Sequence, residues 1–182
     1  LANNTIGTNN SAFGYQALKS NTTGNNNIAV GTNALYYNIT GTNNVAVGYT
    51  ALLYNTGGNN TAIGANSLYS NTIGANNTAV GNQSLQNNTT GNNNTAVGLT
   101  SLSANTFGKY NTAVGMGSLQ SNTTGNNNTG FGYAVLRLNT TGQNNTAVGY
   151  QSSYYNTVGT GNTAVGLGSL LNNTVSNNSA FG

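Results

Sequence analysis

Residues 78–98 read TAVGNQSLQNNTTGNNNTAVG, so the four residues that open this stretch return 17 residues later. The same unit recurs along the whole chain, marked by a Gly that follows a small residue and then Val, Ile or Phe. Successive markers are 17 residues apart eight times and 16 apart twice. They are Gly14, Gly31, Gly48, Gly64, Gly81, Gly98, Gly115, Gly132, Gly149, Gly166 and Gly182. A short fixed period predicts a repeat architecture, and we expect residues 1–182 to form a single array of about ten coils within a longer fibrous protein.

The unit itself predicts an all-β fold. It is shorter than the roughly 30 residues that a helical-hairpin repeat needs, and Gly, Asn and Thr are poor helix formers. Thr-Ala-Val before the marker and Ser-Leu-x-x after it predict two short strands per coil, with Gly and Asn at the corners. No Asn-Gly or Asp-Gly hairpin signal occurs. We therefore expect a parallel β-solenoid whose coils stack about 4.8 Å apart.

The composition excludes most enzyme chemistry. The chain has three basic residues (Lys19, Lys109 and Arg137) and no Asp, Glu, His or Cys. General acid–base catalysis, nucleophilic triads and zinc, iron or copper sites lack their usual residues. We expect no enzyme activity, no cofactor and no metal. The net charge of +3 is scattered, which argues against nucleic-acid binding, and no apolar run is long enough to span a membrane.

Near-absence of charge is also a condition for stacking. Asn, Thr and Gly number 40, 28 and 26, just over half of the 182 residues, and such a composition by itself is typical of disordered segments. In a solenoid, however, each column stacks like on like, so a charged column would repel itself. An Asn column can instead pass amide hydrogen bonds from coil to coil. We expect such a ladder at Asn21, Asn38, Asn55, Asn71, Asn88, Asn105, Asn122, Asn139, Asn156 and Asn173.

The residue two places before each marker indicates which face of the strand lies inside. It is almost always Ala, and a narrow interior explains why only small residues occur there. The expected interior residues are Ala29, Ala46, Ala62, Ala79, Ala96, Ala113, Ala147 and Ala164. Side chains alternate along a strand, so the next column would form an outer apolar stripe: Val30, Val47, Ile63, Val80, Val97, Val114, Phe131, Val148 and Val165. Such a stripe favours a parallel homo-oligomer, with three chains expected. The alternative is a monomeric solenoid with Val and Leu both inside.

The unit Asn-Thr-Ala-Val-Gly-x-x-Ser, as at 94–101 and 145–152, resembles the Asn-Ser-x-Ala-Ile-Gly-x-x-Ser unit of YadA-like head repeats in trimeric autotransporter adhesins. That resemblance implies a trimeric parallel β-roll with Ala79, Ala96 and Ala113 inside and Val80, Val97 and Val114 facing the trimer axis. The family's coils have close to 14 residues, so the extra Leu-x-x-Asn-Thr-Thr segment departs from it. The Asn-Thr-Ala-Val-Gly array also resembles parts of phage tail fibres. The expected location is therefore extracellular, on a bacterial surface or a virion.

Tyrosine is the one abundant side chain in this sequence that is suited to binding at a surface. Tyr36, Tyr37, Tyr154 and Tyr155 are candidates for contacting a host surface or a glycan, although they also fit roles in covering the Leu column or packing between chains. The sequence favours a non-catalytic structural or adhesive fibre module. An alternative is a self-assembling extracellular filament subunit, glycosylated at Asn-x-Ser/Thr sites. Ice binding is a weaker reading, because adjacent pairs such as Thr22-Thr23 point to opposite faces.

Overall fold

The computed structural model describes all 182 residues and is a parallel β-solenoid without helices. Each coil contributes one three-residue strand, and the eleven strands form one sheet in chain order. They are β1 Ser11–Phe13, β2 Ile28–Val30, β3 Val45–Val47, β4 Thr61–Ile63, β5 Thr78–Val80, β6 Thr95–Val97, β7 Thr112–Val114, β8 Thr129–Phe131, β9 Thr146–Val148, β10 Thr163–Val165 and β11 Ser179–Phe181. The predicted solenoid of about ten coils is confirmed. No helix is present that could cross a membrane.

Strand pairing keeps every column in register. Ala79 pairs with Ala96 and Val80 with Val97, and the other neighbouring strands pair in the same way. The two 16-residue coils preserve this register because each omits one residue in the turn that follows its conserved Asn. In the first, the Asn55 amide reaches the Gly57 carbonyl two residues on, whereas the equivalent step elsewhere spans three. Gly57, and not Gly58, therefore occupies the second glycine column of the repeat.

The second strand predicted for each coil is wrong. The segment after the marker Gly is a turn, in which the residue two places on and the Leu four places on both have positive φ, as in Gln83 at 57° and Leu85 at 48°. Left-handed residues interrupt the alternation of a strand, so the adjacent Ser84 and Leu85 are both buried. The turn still stacks through the backbone, since Leu85 N–H donates to the Ser101 carbonyl of the following coil at 3.0 Å.

The marker Gly is required by close backbone approach. Gly98 has φ +129°, and a Cβ placed on it would lie 2.7 Å from the carbonyl carbon and oxygen of Gly115 in the next coil. No side chain fits between coils that stack this closely. The marker column therefore fixes where each strand ends and the chain turns.

The interior is half aliphatic and half amide. The Leu column and the Ala column are fully buried along most of the rod, so the Ala side chains point inward and the alternative with Val inside does not occur. Opposite them lie two buried Asn columns. The first is the predicted ladder. In it Asn88 Nδ2 donates to Asn71 Oδ1 at 2.7 Å, and Asn105 Nδ2 donates to Asn88 Oδ1 at 2.9 Å.

The second Asn column bonds to the backbone of the next coil. Asn77 Oδ1 accepts a hydrogen bond from the Asn94 backbone N–H at 2.9 Å, while Asn77 Nδ2 donates to the Gly91 carbonyl at 2.9 Å. Gly91 also accepts from Asn88 Nδ2 at 3.0 Å. Buried backbone groups at this corner, which lie outside the strand, thereby obtain partners. The two columns together link this corner of each coil to the neighbouring coils.

The predicted ladder ends one position early. Asn173 is only partly buried, and its Nδ2 donates to the Val175 carbonyl at 2.8 Å without reaching Asn156. Asn156 Oδ1 is left buried and without a hydrogen-bond partner. The second 16-residue coil brings the Val175 carbonyl to the place that a glycine carbonyl takes elsewhere, but shortening alone does not break the ladder, because Asn55 of the first short coil still donates to Asn38 Oδ1 at 3.3 Å. Asn173 is therefore in the sequence column but outside the hydrogen-bonded ladder.

Candidate functional surfaces

The outer side of the sheet, which we call the strand face, consists of the first and third residues of β2 to β10. In every one of these strands the middle residue is buried and both flanking residues are exposed or half-buried. The third residues are the apolar stripe from Val30 to Val165, and Ile63 and Phe131 are its most exposed members. No residue of the strand face carries a charge. The face is therefore regular, neutral and half apolar over nine coils.

Threonine forms a second regular column on the same face. The first residue of each strand from β4 to β10 is Thr, and these seven side chains stand beside the apolar stripe in register. They are Thr61, Thr78, Thr95, Thr112, Thr129, Thr146 and Thr163. The adjacent Thr pairs of the turn, such as Thr22-Thr23, are not part of this column, so their opposite orientations do not count against it. The alternation of side chains along Thr-Ala-Val was the sequence signal for the column.

Four tyrosines on the second to fourth coils form a continuous aromatic group, the tyrosine cluster. It consists of Tyr36, Tyr37, Tyr54 and Tyr69. The Tyr37 and Tyr54 rings stack with centroids 5.1 Å apart and planes 4° apart. Tyr36 meets Tyr37 edge to face at 4.5 Å, and Tyr69 meets Tyr54 edge to face at 5.3 Å. The solenoid brings these rings together because residues of the same column stack on neighbouring coils.

A pocket of about 220 Å³ lies beside the tyrosine cluster. Its lining is Gln16, Asn33, Tyr36, Tyr37, Leu53 and Tyr54. The Oδ1 atom of Asn33 is buried and has no hydrogen-bond partner. Buried acceptors are nearly always paired in native proteins, but this oxygen is enclosed by the protein and is not open to the pocket. None of the lining residues belongs to a strand, which places the pocket apart from the strand face.

The cluster carries little charge. Lys19 Nζ lies 5.3 Å from the centroid of the Tyr36 ring, within the range of a cation–π contact. The side-chain hydrogen bond with Tyr54 raises the pKa of Tyr69 above its usual value, and burial adds to the effect. The Tyr69 hydroxyl therefore stays protonated at neutral pH and is available as a hydrogen-bonding group, not as a nucleophile or base.

The second predicted tyrosine pair is differently placed. Tyr154 and Tyr155 contact each other edge to face at 4.7 Å, but no pocket lies beside them. Of the four predicted binding tyrosines, the structure therefore places Tyr36 and Tyr37 in a pocket with Tyr54, whereas the half-buried Tyr154 and the exposed Tyr155 line no pocket. Nothing in the sequence singles out Asn33 or Gln16, because they occupy a variable column that contacts the tyrosines only once the turn is folded.

Comparison of the chain with protein-family models, with curated proteins and with solved structures gave no match.

Proposed function

We propose that this chain is a non-catalytic structural module of an extracellular fibre, such as a trimeric surface adhesin or a phage tail fibre. Its strand face packs against the same face of parallel copies. The observation that carries the proposal is the in-register apolar stripe on the outer side of the sheet, which is longer than a single monomer normally leaves in water. Three chains are favoured by the resemblance to YadA-like head repeats.

A second copy of the chain suits this face better than an unrelated partner. Parallel copies share the same rise per coil, so a column of Val on one copy meets a column of Val on the next at every coil. The face has no charge to desolvate, and burying its Val, Ile and Phe side chains adds to a core that is half amide. A cyclic arrangement buries the stripe of every copy at once. The module then supplies stiffness, length and repeated display of its other sides.

Oligomeric state tests the proposal directly. Analytical ultracentrifugation of the native chain is expected to give a discrete trimer. A Val80→Lys/Val114→Lys double variant is expected to be a folded monomer, because both side chains point outward from the coil. The matched control is Leu99→Lys/Leu167→Lys, which places two charges on exposed apolar residues outside the strand face. This control should remain trimeric. A native chain that sediments as a monomer at high concentration contradicts the proposal, and open-ended growth replaces it with the filament subunit.

Ice binding is the second candidate, favoured by the seven Thr side chains that stand in register beside the stripe. A charge-free array of hydroxyl and methyl groups at the spacing of a sheet offers a regular surface to ordered water. Thermal hysteresis measured on the same variants separates the two readings. A monomeric native chain that shows hysteresis, with loss in Val80→Lys/Val114→Lys and retention in Leu99→Lys/Leu167→Lys, supports ice binding. Absence of hysteresis removes it.

A further inference from the structure

We propose that the tyrosine cluster and its pocket bind a saccharide. This inference rests on the proposed function, because it names a ligand for the adhesive module. The site itself lies outside the strand face. The juxtaposition that carries it is a group of exposed aromatic rings beside a pocket lined by two side-chain amides. Each element of the site fits one part of a sugar ring.

The aromatic rings fit the apolar side of the sugar. Tyr37 and Tyr54 are 46% and 42% exposed. Their nearly parallel rings stack with centroids 5.1 Å apart, and the exposed part of each ring is open to a ligand. The negative face of an aromatic ring attracts the C–H groups that line one side of a pyranose. Tyr36 and Tyr69 pack against this pair edge to face and hold it in place.

The pocket fits the polar edge of the sugar. Asn33 and Gln16 each bring a side-chain amide to the lining. Sugar hydroxyls donate to and accept from amides, so one ring can hydrogen-bond with both residues. The volume of about 220 Å³ is below the roughly 300–1,000 Å³ of a typical small-molecule site. The site therefore suits a single sugar unit, such as one residue of a longer glycan.

The charge of the site argues against other ligands. Its one nearby ionic group is the Lys19 ammonium above Tyr36, which already occupies the position that a cationic ligand would take. A cationic amine or a basic peptide would be repelled. A metal ion would find only neutral oxygens. A neutral glycan meets no such penalty, and a sugar that bears a carboxylate gains attraction to Lys19.

The experiment is a titration followed by chemical shifts or by intrinsic tyrosine fluorescence. The probes are lactose, chitotriose, maltotriose and sialyllactose. The expected result is saturable binding of at least one probe with a Kd of about 1 mM or tighter. Tyr37→Ser and Asn33→Ala are each expected to weaken it by about tenfold or more. Asn33→Ala is compatible with the backbone, because Ala134 occupies the equivalent left-handed position with φ 53°.

The matched control is Tyr155→Ser. Tyr155 is 47% exposed, a fraction similar to that of Tyr37, and it also contacts another tyrosine, but no pocket lies beside it. This variant should bind like the native chain, and all three variants should unfold at similar denaturant concentrations. Binding that survives Tyr37→Ser, falls equally in Tyr155→Ser, or is absent for every probe overturns the inference. Ultracentrifugation of the same samples keeps the two proposals separate, since Tyr37→Ser should leave the oligomeric state unchanged.

Discussion

At the scale of single residues, the two Asn columns inside the coil make different sets of hydrogen bonds. Asn88 bonds with the equivalent side chains of the coils before and after it, whereas Asn77 bonds with the backbone of the following coil and makes a longer bond, at 3.3 Å, to the side chain of Asn60. The first set links side chains into a continuous column. The second supplies partners for peptide groups that no strand would satisfy. Both need an amide, because it is the one short neutral side chain that donates and accepts in fixed directions.

Asn88→Asp tests the ladder, because it keeps the shape and removes both donors. At pH 7 the buried carboxylate would face Asn71 Oδ1 and the Gly91 carbonyl, which now accept from Asn88 Nδ2. We expect the free energy of unfolding to fall by about 3–5 kcal/mol, as when a buried charge is left uncompensated. Denaturant unfolding followed by circular dichroism measures the loss.

The destabilisation caused by Asn88→Asp should depend on pH, in a direction set by the shift in the pKa of the new carboxyl. Burial raises the pKa of the new carboxyl in the folded state above its unfolded value of about 4. The protonated form, which recovers one donor, is therefore favoured at low pH, and the destabilisation grows as pH rises above about 4. The control is Asn93→Asp, at an exposed position whose side chain makes no hydrogen bond and whose φ of 58° Asp tolerates. Equal losses in both variants at pH 7 would show that the ladder contributes nothing.

At the scale of the element, one coil combines a three-residue strand with a turn that contains left-handed residues. The strand was predictable because Thr-Ala-Val alternates and because a column restricted to Ala requires a narrow interior. The turn was not. Leu85 at φ 48° is in a region that branched residues rarely enter, and no local rule predicts that it would do so in coil after coil. What holds it there is burial, since the side chain is fully enclosed by neighbouring coils.

Leu85→Ala measures how much that enclosure contributes. It leaves the φ requirement unchanged and removes most of the buried side chain, so we expect a loss of about 2–5 kcal/mol in unfolding free energy. The control is Leu99→Ala, which is 45% exposed in the same type of turn and should change stability by about 0.5 kcal/mol or less. Chemical denaturation of both variants decides the matter. If Leu85→Ala were as mild as its control, packing in the turn would not be what fixes its conformation.

The candidate surfaces were predictable to different degrees. The strand face follows from the alternation of Thr-Ala-Val, so the sequence indicated both its residues and its exposure. The tyrosine pocket depends on which columns of the turn become neighbours, and that depends on the left-handed geometry of residues such as Asn33, with φ 58°. The end of the ladder at Asn156 depends on how the last coil packs against the coil before it. Neither feature was predictable from the sequence, because each arises from contacts between columns and not from the period itself.

At the scale of the whole molecule, the near-absence of charge makes stability independent of pH over a wide range. No side chain in the sequence has an ordinary pKa between 5 and 7, since Asp, Glu, His and Cys are all missing. Folded and unfolded chains then bind equal numbers of protons, and the slope of unfolding free energy against pH is zero. We expect the urea midpoint to stay constant from pH 5 to pH 7.

Above pH 10 the behaviour should change. The pKa of Tyr69 is raised in the folded state, so the folded chain holds this proton more tightly than the unfolded chain. Stability that depends on it is present below the usual tyrosine pKa of about 10 and is lost as pH rises beyond that value. Replacing Tyr69 with Phe should reduce this alkaline loss. A midpoint that drifts between pH 5 and pH 7 would contradict the account, because no side chain is present to cause it.

The hydrogen-bonded Asn column has an electrical direction of its own. From Asn38 to Asn156 each Nδ2 donates toward the coil before it, and none donates the other way. Amide dipoles aligned head to tail add up as they do along an α-helix, with the positive end on the donor side. The column therefore has its positive end at the lower-numbered coils. Many backbone N–H groups of the turns donate toward the following coil, as Leu85 N–H does to the Ser101 carbonyl, so the dipoles of the column and of these peptide groups oppose each other along the rod.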